Sequence, residues 1–289
     1  LLLCLPVATR KIARNSNFVF VELVDNLHPM LKSVDECLTG EFLYGDDFPP
    51  ELVKRWFDSE QTAYFEIAAA NKPYVYCYHA LHWEHGYRLL PRDRKFPRVL
   101  GIGSARGDEF DGIRDHCGEI TIVEPAEGFQ NSTARYVKPS ADGALPFPSW
   151  SFDLITCFGV LHHICNVSFV FAEIARCLAP GGYLLISEPM TSMGDWREPR
   201  AGLSANERGI PLPAFRKMIA ASGLRVDHES YTEFRPLARL SLACGIRPYN
   251  SLMLTKLDAL ICSILPHYYH ARTHLEKFRP VGAYFVLHR

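Results

Sequence analysis

Apolar runs and helical stripes alternate regularly from Arg98 onward. Short segments at Arg98–Ile102, Glu119–Glu124 (EITIVE), Arg135–Lys138, Phe152–Phe158 (FDLITCF), Tyr183–Ser187 (YLLIS) and Leu224–Tyr231 read as strands one to six. The fourth is almost wholly apolar, as expected of a strand covered on both faces. Asp108–His116 reads as a helix after strand one. Val167, Val170, Phe171, Ile174 and Leu178 form the stripe of a helix over Val167–Leu178, with Asn166 as expected N-cap and Pro180-Gly181-Gly182 as its stop. A further helix over Pro213–Ser222 ends at Gly223, and a last strand covers Val281–His288 (VGAYFVLH). This alternation predicts a parallel α/β sheet with right-handed crossovers.

The flanking regions carry weaker patterns. PRDRKFP (Pro91–Pro97) is a polar, proline-bounded linker and the expected domain boundary. It separates a mostly helical N-terminal extension or lid, residues 1–97, from the α/β domain, residues 98–289. The opening LLLCLPVA is too short for a bilayer span, which needs ~20 apolar residues. It reads as a buried edge segment, with the remnant of a clipped signal peptide as the other reading. Asn17–Val24 fits a strand or a helix start. Pro49-Pro50 opens a helix at Glu51 with Val53, Trp56, Phe57, Tyr64 and Ile67 on one face. His79, His82 and His85 stand at i, i+3 and i+6 in the aromatic stretch Tyr74–Leu90. At ~100° per residue the third lies about 120° off the second, so one helix cannot turn all three to one ion. A packed aromatic helix, a lid over a ligand site and a metal site are the readings in that order. Between strands six and seven, an insertion at about 233–279 holds Ser251–Leu265. Met253, Leu257, Leu260, Ile261 and Ile264 share one face of that helix, Lys256 and Asp258 the other. A cap over a substrate pocket, a homodimer contact and a peripheral membrane contact all fit it.

Composition narrows the class. The chain has 289 residues, 48% hydrophobic and 22% charged, a soluble globular profile long enough for this domain and its extension. A net charge of −1 without a long basic run gives no electrostatic case for nucleic acid. Nine cysteines, scattered and without C-x-x-C, read as reduced thiols of a cytoplasmic protein with no structural metal.

Candidate chemistry concentrates at VLGIGSARG (Val99–Gly107). Gly103 and Gly107 let the backbone turn sharply beneath a ligand, and the N–H groups of the following helix start face it. Further features follow at the carboxyl ends of successive strands, where open α/β sheets bind ligands. Glu124 closes strand two, where a carboxylate can accept both hydroxyls of a ribose. Asp142, in ADGALPFPSWSFD, is placed to take an exocyclic amine such as that of adenine, although beside Gly143 it also suits a plain turn. Phe158 ends strand four and leads into GVLHHI (Gly159–Ile164). Each feature is weak alone, and their order and spacing carry the case.

The words VLGIGSARG, IVEP, ADGALPFPSWSFDLI, GVLHHI and IARCLAPGGYLLISEP, between Val99 and Pro189, resemble class I S-adenosylmethionine-dependent methyltransferases, in particular the subgroup with the ubiquinone/menaquinone-type enzymes. The resemblance implies S-adenosyl-L-methionine as cofactor. It also implies a Rossmann-like seven-stranded sheet in the order 3-2-1-4-5-7-6 with strand seven antiparallel. Gly101, Gly103, Ser104 and Gly107 would line the methionine part, Glu124 would hold the ribose, Asp142 and Gly143 would sit at the adenine, and Phe158 would flank the transferred methyl. The chain departs from the family pattern at Gly101, where an acid is usual, and at Ala105, where glycine is common. The missing acid leaves the cofactor's ammonium one carboxylate short, ~1–2 kcal/mol for a charge-assisted contact.

A sulfonium methyl is already electrophilic, so such a protein need only hold a nucleophile in line with it, away from water. A hydroxyl nucleophile also needs a base. His163 and His162 are the candidates, with His79, His82, His267, Tyr268, Tyr269 and His270 as other sources. The expected function is methyl transfer to a small-molecule or glycan acceptor, at oxygen. The glycan idea rests on a looser resemblance of the whole layout to methyltransferases encoded with polysaccharide-assembly enzymes. A quinone or other lipid-like acceptor and a catalytically inactive, partner-binding protein of this fold are the alternatives. A nicotinamide dehydrogenase shares the glycine turn and the acid, but the LPF…SFD…LHH series does not belong to it.

Overall fold

The computed structural model describes residues 31–69, 75–198, 200, 203–204 and 206–289. The opening apolar run, Asn17–Val24 and the side chain of Ile67 lie outside the described residues. Seven strands, β1 (Phe96–Ile102), β2 (Cys117–Val123), β3 (Arg135–Val137), β4 (Phe152–Phe158), β5 (Leu178–Pro189), β6 (Arg225–Thr232) and β7 (Gly282–His288), pair in the order β3-β2-β1-β4-β5-β7-β6. Every neighbouring pair is parallel except those of β7, which runs antiparallel to β5 and β6. The expected sheet order and the expected direction of its last strand are both present.

Helices α1 (Val34–Leu38), α2 (Pro50–Ala69), α3 (His79–His85), α4 (Val167–Cys177), α5 (Leu212–Ser222), α6 (Arg235–Ala243) and α7 (Leu252–Ile264) surround it. On one face, Phe171 and Ile174 of α4 and Phe215 of α5 pack on Leu100, Ile155, Ile186 and Phe285. On the other, Leu81 of α3 and Tyr87 pack on Val99, Leu154 and Tyr284. The central strands are therefore apolar on both sides, as their composition requires. Among the described residues no helix is long and apolar enough to cross a membrane.

Three local expectations are corrected. Asp108–His116 is a 3-10 stretch broken at Ile113, beside Gly112, rather than an α-helix. Asn166 does not cap α4, because its amide donates to the Asp142 carbonyl. Asp46, from the N-terminal extension, takes that place by accepting from the Ser168 N–H at 2.7 Å and the Ser168 hydroxyl at 2.6 Å. Helix α7 is turned over: Thr255, Asp258 and Cys262 are buried, while Met253, Leu260 and Ile264 are 75%, 64% and 77% exposed. The reason is Asp258, whose carboxylate accepts from the Glu233 and Phe234 N–H groups, both at 2.8 Å, where α6 begins. Among the described residues, Cys37, Cys117, Cys157, Cys165, Cys177, Cys244 and Cys262 are free thiols.

Candidate donor and acceptor site

The turn after β1 is built by close contacts. Gly103 has φ +63°, donates its N–H to the Val123 carbonyl at 2.8 Å, and leaves space that a Cβ would lose to Val160, 2.6 Å away. Ala105 holds φ +48°, a left-handed conformation that costs a non-glycine residue energy. Its N–H donates to Glu124 Oε2 at 3.1 Å, and the Ala126 N–H donates to Oε1 at 3.0 Å. Gly107, at φ +78°, closes the turn through its N–H to the Ser104 carbonyl. Glu124 is 1% exposed, and burial pushes its carboxyl up to about 7 against these N–H groups and the Tyr64 hydroxyl.

Gly101 has no room for the usual acid, because a Cβ there would collide with Ser104 Oγ. That hydroxyl donates to Glu109 Oε1 at 2.9 Å, and the Thr156 hydroxyl bonds the same oxygen. Glu109 is thus a buried carboxyl beside the turn that sequence reasoning missed. Burial raises it to about 7, opposed by the Thr156 and Ser104 hydroxyls.

Asp142 and Gly143 sit against the start of α4. Asp142 is exposed, accepts from the Ala144 N–H at 3.0 Å, and is held below the usual carboxylate range by Ser140 and that N–H. Gly143 has φ +82°, and a Cβ would collide with Val170. Phe158 ends β4 as expected, but its ring stacks on His82 of α3, with centroids 3.7 Å apart and planes at 12°. His85 Nδ1 lies 2.8 Å from Ser230 Oγ. Buried His82 and His85 are therefore parts of a packed aromatic helix, and burial lowers both imidazoles, His85 to about 4.

Helix α2 lays Trp56, Glu60 and Tyr64, spaced i, i+4 and i+8, across these loops. Trp56 Nε1 donates to the His163 carbonyl at 2.7 Å. Glu60 Oε2 lies 3.0 Å from His163 Nδ1 and accepts from the Ser204 hydroxyl at 2.7 Å. Tyr64 packs on Phe129 and bonds Glu124. The N-terminal extension thus bridges the loop after β2 and the loop after β4.

Glu188, at the end of β5, organises that second loop. Its Oε1 accepts from the Val160 and Leu161 N–H groups, both at 2.8 Å, and its Oε2 lies 2.8 Å from His162 Nδ1. His162 Nε2 lies 3.6 Å from Glu207 Oε1. Burial disfavours the imidazolium, but Glu188 and Glu207 outweigh it and raise His162 to about 9. Arg208, wholly buried, donates to the carbonyls of Tyr44, His162 and Cys165 and lies over Trp56. His162 is buried between Glu188 and Glu207, whereas the side chain of His163 is 34% exposed. Glu188 carries the signal that exposed Glu124, an acid closing a strand. Glu60 and Glu207 have no such local mark.

The sheet order, the glycine-cradled turn and the buried acid after β2 define a Rossmann-like domain of the class I S-adenosylmethionine-dependent methyltransferase type. The chain belongs to the methyltransferase-domain family, which matches residues 79–229, just over half of its length. It is 29% identical over 153 residues to a ubiquinone/menaquinone biosynthesis C-methyltransferase of Psychromonas ingrahamii, covering 48% of this chain and 57% of that one. It is 24% identical over 185 residues to the demethylmenaquinone methyltransferase of Tropheryma whipplei, covering 57% and 73%. Other curated relatives are matched over about two fifths of their length. A solved S-adenosylmethionine-dependent methyltransferase from Mesorhizobium loti aligns at 16% identity and a TM-score of 0.48, covering 72% of this chain and 97% of that one.

The donor set fits S-adenosylmethionine. Each Glu124 oxygen accepts one backbone N–H, and the Tyr64 hydroxyl takes one of the two remaining lone pairs, which leaves one for a ribose hydroxyl. At Gly101, Gly103 and Gly143 a Cβ would collide with Ser104, Val160 and Val170, so the close packing of these loops requires glycine there.

Proposed function

We propose that this protein transfers the methyl group of S-adenosylmethionine to an oxygen of a small-molecule or glycan acceptor in the cytoplasm. The observation that carries the reading is the His163–Glu60 pair three residues past Val160, which itself touches the donor turn at Gly103. When bound, the cofactor supplies an electrophilic methyl. Glu124 holds the ribose, Asp142 takes the adenine amine, and the glycine turn carries the methionine part. Helix α2 covers the cleft and excludes water. Glu60 fixes one nitrogen of His163, so the other activates the acceptor hydroxyl.

Calorimetric titration with S-adenosylmethionine and S-adenosylhomocysteine tests the donor half. Micromolar binding is expected, weakened in Asp142→Ala; no binding to the folded protein removes the reading. Turnover on sugar and quinone panels, with the new methyl carbon identified by NMR as bonded to oxygen or carbon, tests the acceptor half. Carbon methylation of a quinone is the second reading. It is favoured by the names of the Psychromonas and Tropheryma relatives and by the apolar outer face of α7, which suits a membrane surface better than a homodimer contact if the acceptor is lipid-like. Donor binding without turnover on any acceptor assigns the chain to partner binding alone.

A further inference from the structure

We propose that His162, His163 and Glu207 form a binding site for one divalent first-row transition metal, of the zinc type, and that this cation holds the acceptor oxygen. One donor atom from each residue lies within 4.8 Å of the others, bringing two imidazoles and a carboxylate together. This ligand set suits Zn²⁺ and its neighbours and leaves a coordination position open. The spacings agree. His162 Nε2 and Glu207 Oε1 are 3.6 Å apart, too far for a hydrogen bond. Bonds of ~2.0–2.1 Å at a tetrahedral angle would set two donors about 3.3 Å apart across one ion.

The surroundings are those of a ligand shell. Metal-binding histidines typically give their other ring nitrogen to a carboxylate, which fixes tautomer and orientation. Here Glu188 Oε2 sits 2.8 Å from His162 Nδ1, and Glu60 Oε2 sits 3.0 Å from His163 Nδ1. Both imidazoles therefore have Nε2 as the nitrogen left for a cation. The acids are themselves anchored. Glu207 Oε2 accepts from the Ser204 N–H at 3.0 Å, and Glu60 Oε1 from the Asn206 N–H at 3.3 Å. His162 and Glu207 are buried, and His163 provides the partly open side.

The site does not depend on the methyl-transfer reading, but its use does. A cation lowers the pKa of a bound hydroxyl. It would thereby perform the activation assigned above to His163, now acting as a ligand. The acceptor proton leaves to solvent, the new O–C bond forms, the C–S bond breaks, and sulfur keeps that electron pair.

The test is titration of the full chain with Co²⁺ and Zn²⁺, followed by calorimetry and visible absorption. One equivalent is expected, with the weak bands of nitrogen and oxygen ligands. Affinity should fall at least 100-fold in His163→Ala and in Glu207→Gln, and 10–100-fold in Glu60→Gln. Thermal unfolding and S-adenosylhomocysteine binding, run on each variant, report the fold and the donor site. Should Glu207→Gln not fold, partly exposed His163 decides. Failure of the folded chain to bind below millimolar metal overturns the site. So does binding indifferent to His163→Ala, or an intense thiolate charge-transfer band. If S-adenosylhomocysteine binding survives such a result, the methyl-transfer reading stands without the metal. Metal binding without any donor binding would keep the site and remove that reading.

Discussion

At position 101 the family's usual acid is replaced by an arrangement of neighbours. Ser104 folds beneath the strand end into the space a side chain would need, and its hydroxyl meets Glu109. Gly101→Ala should therefore lower stability by about 1–3 kcal/mol through overpacking, and Ser104→Gly should restore most of it. Thermal unfolding of the single and double variants checks this. Glu109 also sets a pH dependence. Its folded-state value is raised from 4.5 to about 7, chiefly by burial. The folded chain thus holds this proton more tightly than the unfolded chain. The favourable contribution is present below about pH 4.5 and is lost as pH rises through about 7, by on the order of 3 kcal/mol. Glu109→Gln keeps an acceptor for Ser104 and Thr156 without a charge. Its urea midpoint should fall less than wild type between pH 4.5 and 8.5, with the remaining slope in the same direction from Glu124, also raised to about 7.

Among the elements, α2 and α7 each do something their own periodicity does not specify. Trp56, Glu60 and Tyr64 of α2 span about 12 Å of helix, the reach from Glu124 to His163. On the proposed reading of this helix as a lid over the donor, it should slow cofactor release. Tyr64→Ala is expected to weaken S-adenosylhomocysteine about tenfold, ~1.4 kcal/mol, mainly through faster dissociation measured by stopped flow. Helix α7 is held by a buried polar clasp. Asp258→Ala strands two N–H donors at the start of α6, a cost of about 2–4 kcal/mol. Hydrogen exchange should accelerate at 233–243 before the sheet is affected.

For the molecule as a whole, the apolar face absent from the core reappears at the surface. Met253, Leu260 and Ile264 of α7 are exposed on one side of that helix, and Leu240, Ile246, Leu275 and Phe278 are also exposed within residues 233–279. An exposed apolar helix face of this kind suits an interaction surface. With an apolar partner, contact should be insensitive to salt, since little charge is involved. Sedimentation with phosphatidylcholine vesicles is expected to carry the protein down at both low and high salt. Leu260→Glu with Ile264→Glu should release it while leaving the unfolding temperature nearly unchanged.

What the sequence by itself determined is what depends on neighbours along the chain. Apolar runs such as FDLITCF specify a strand covered twice, and glycines at 103 and 107 specify a turn with positive φ. The LPF…SFD…LHH series, through the family it resembles, carried the sheet order with it. What only the tertiary structure decided is what depends on partners far away in the chain. Glu60 meets Ser204 across 144 residues and His163 across 103. Glu188 becomes the anchor of the loop after β4 only when β5 lies beside it. The outward turn of α7 follows from the two backbone N–H groups that Asp258 satisfies, which outweigh the burial of its own apolar stripe. Periodicity reports which residues could be buried; which ones are depends on the hydrogen bonds that distant elements leave to be satisfied.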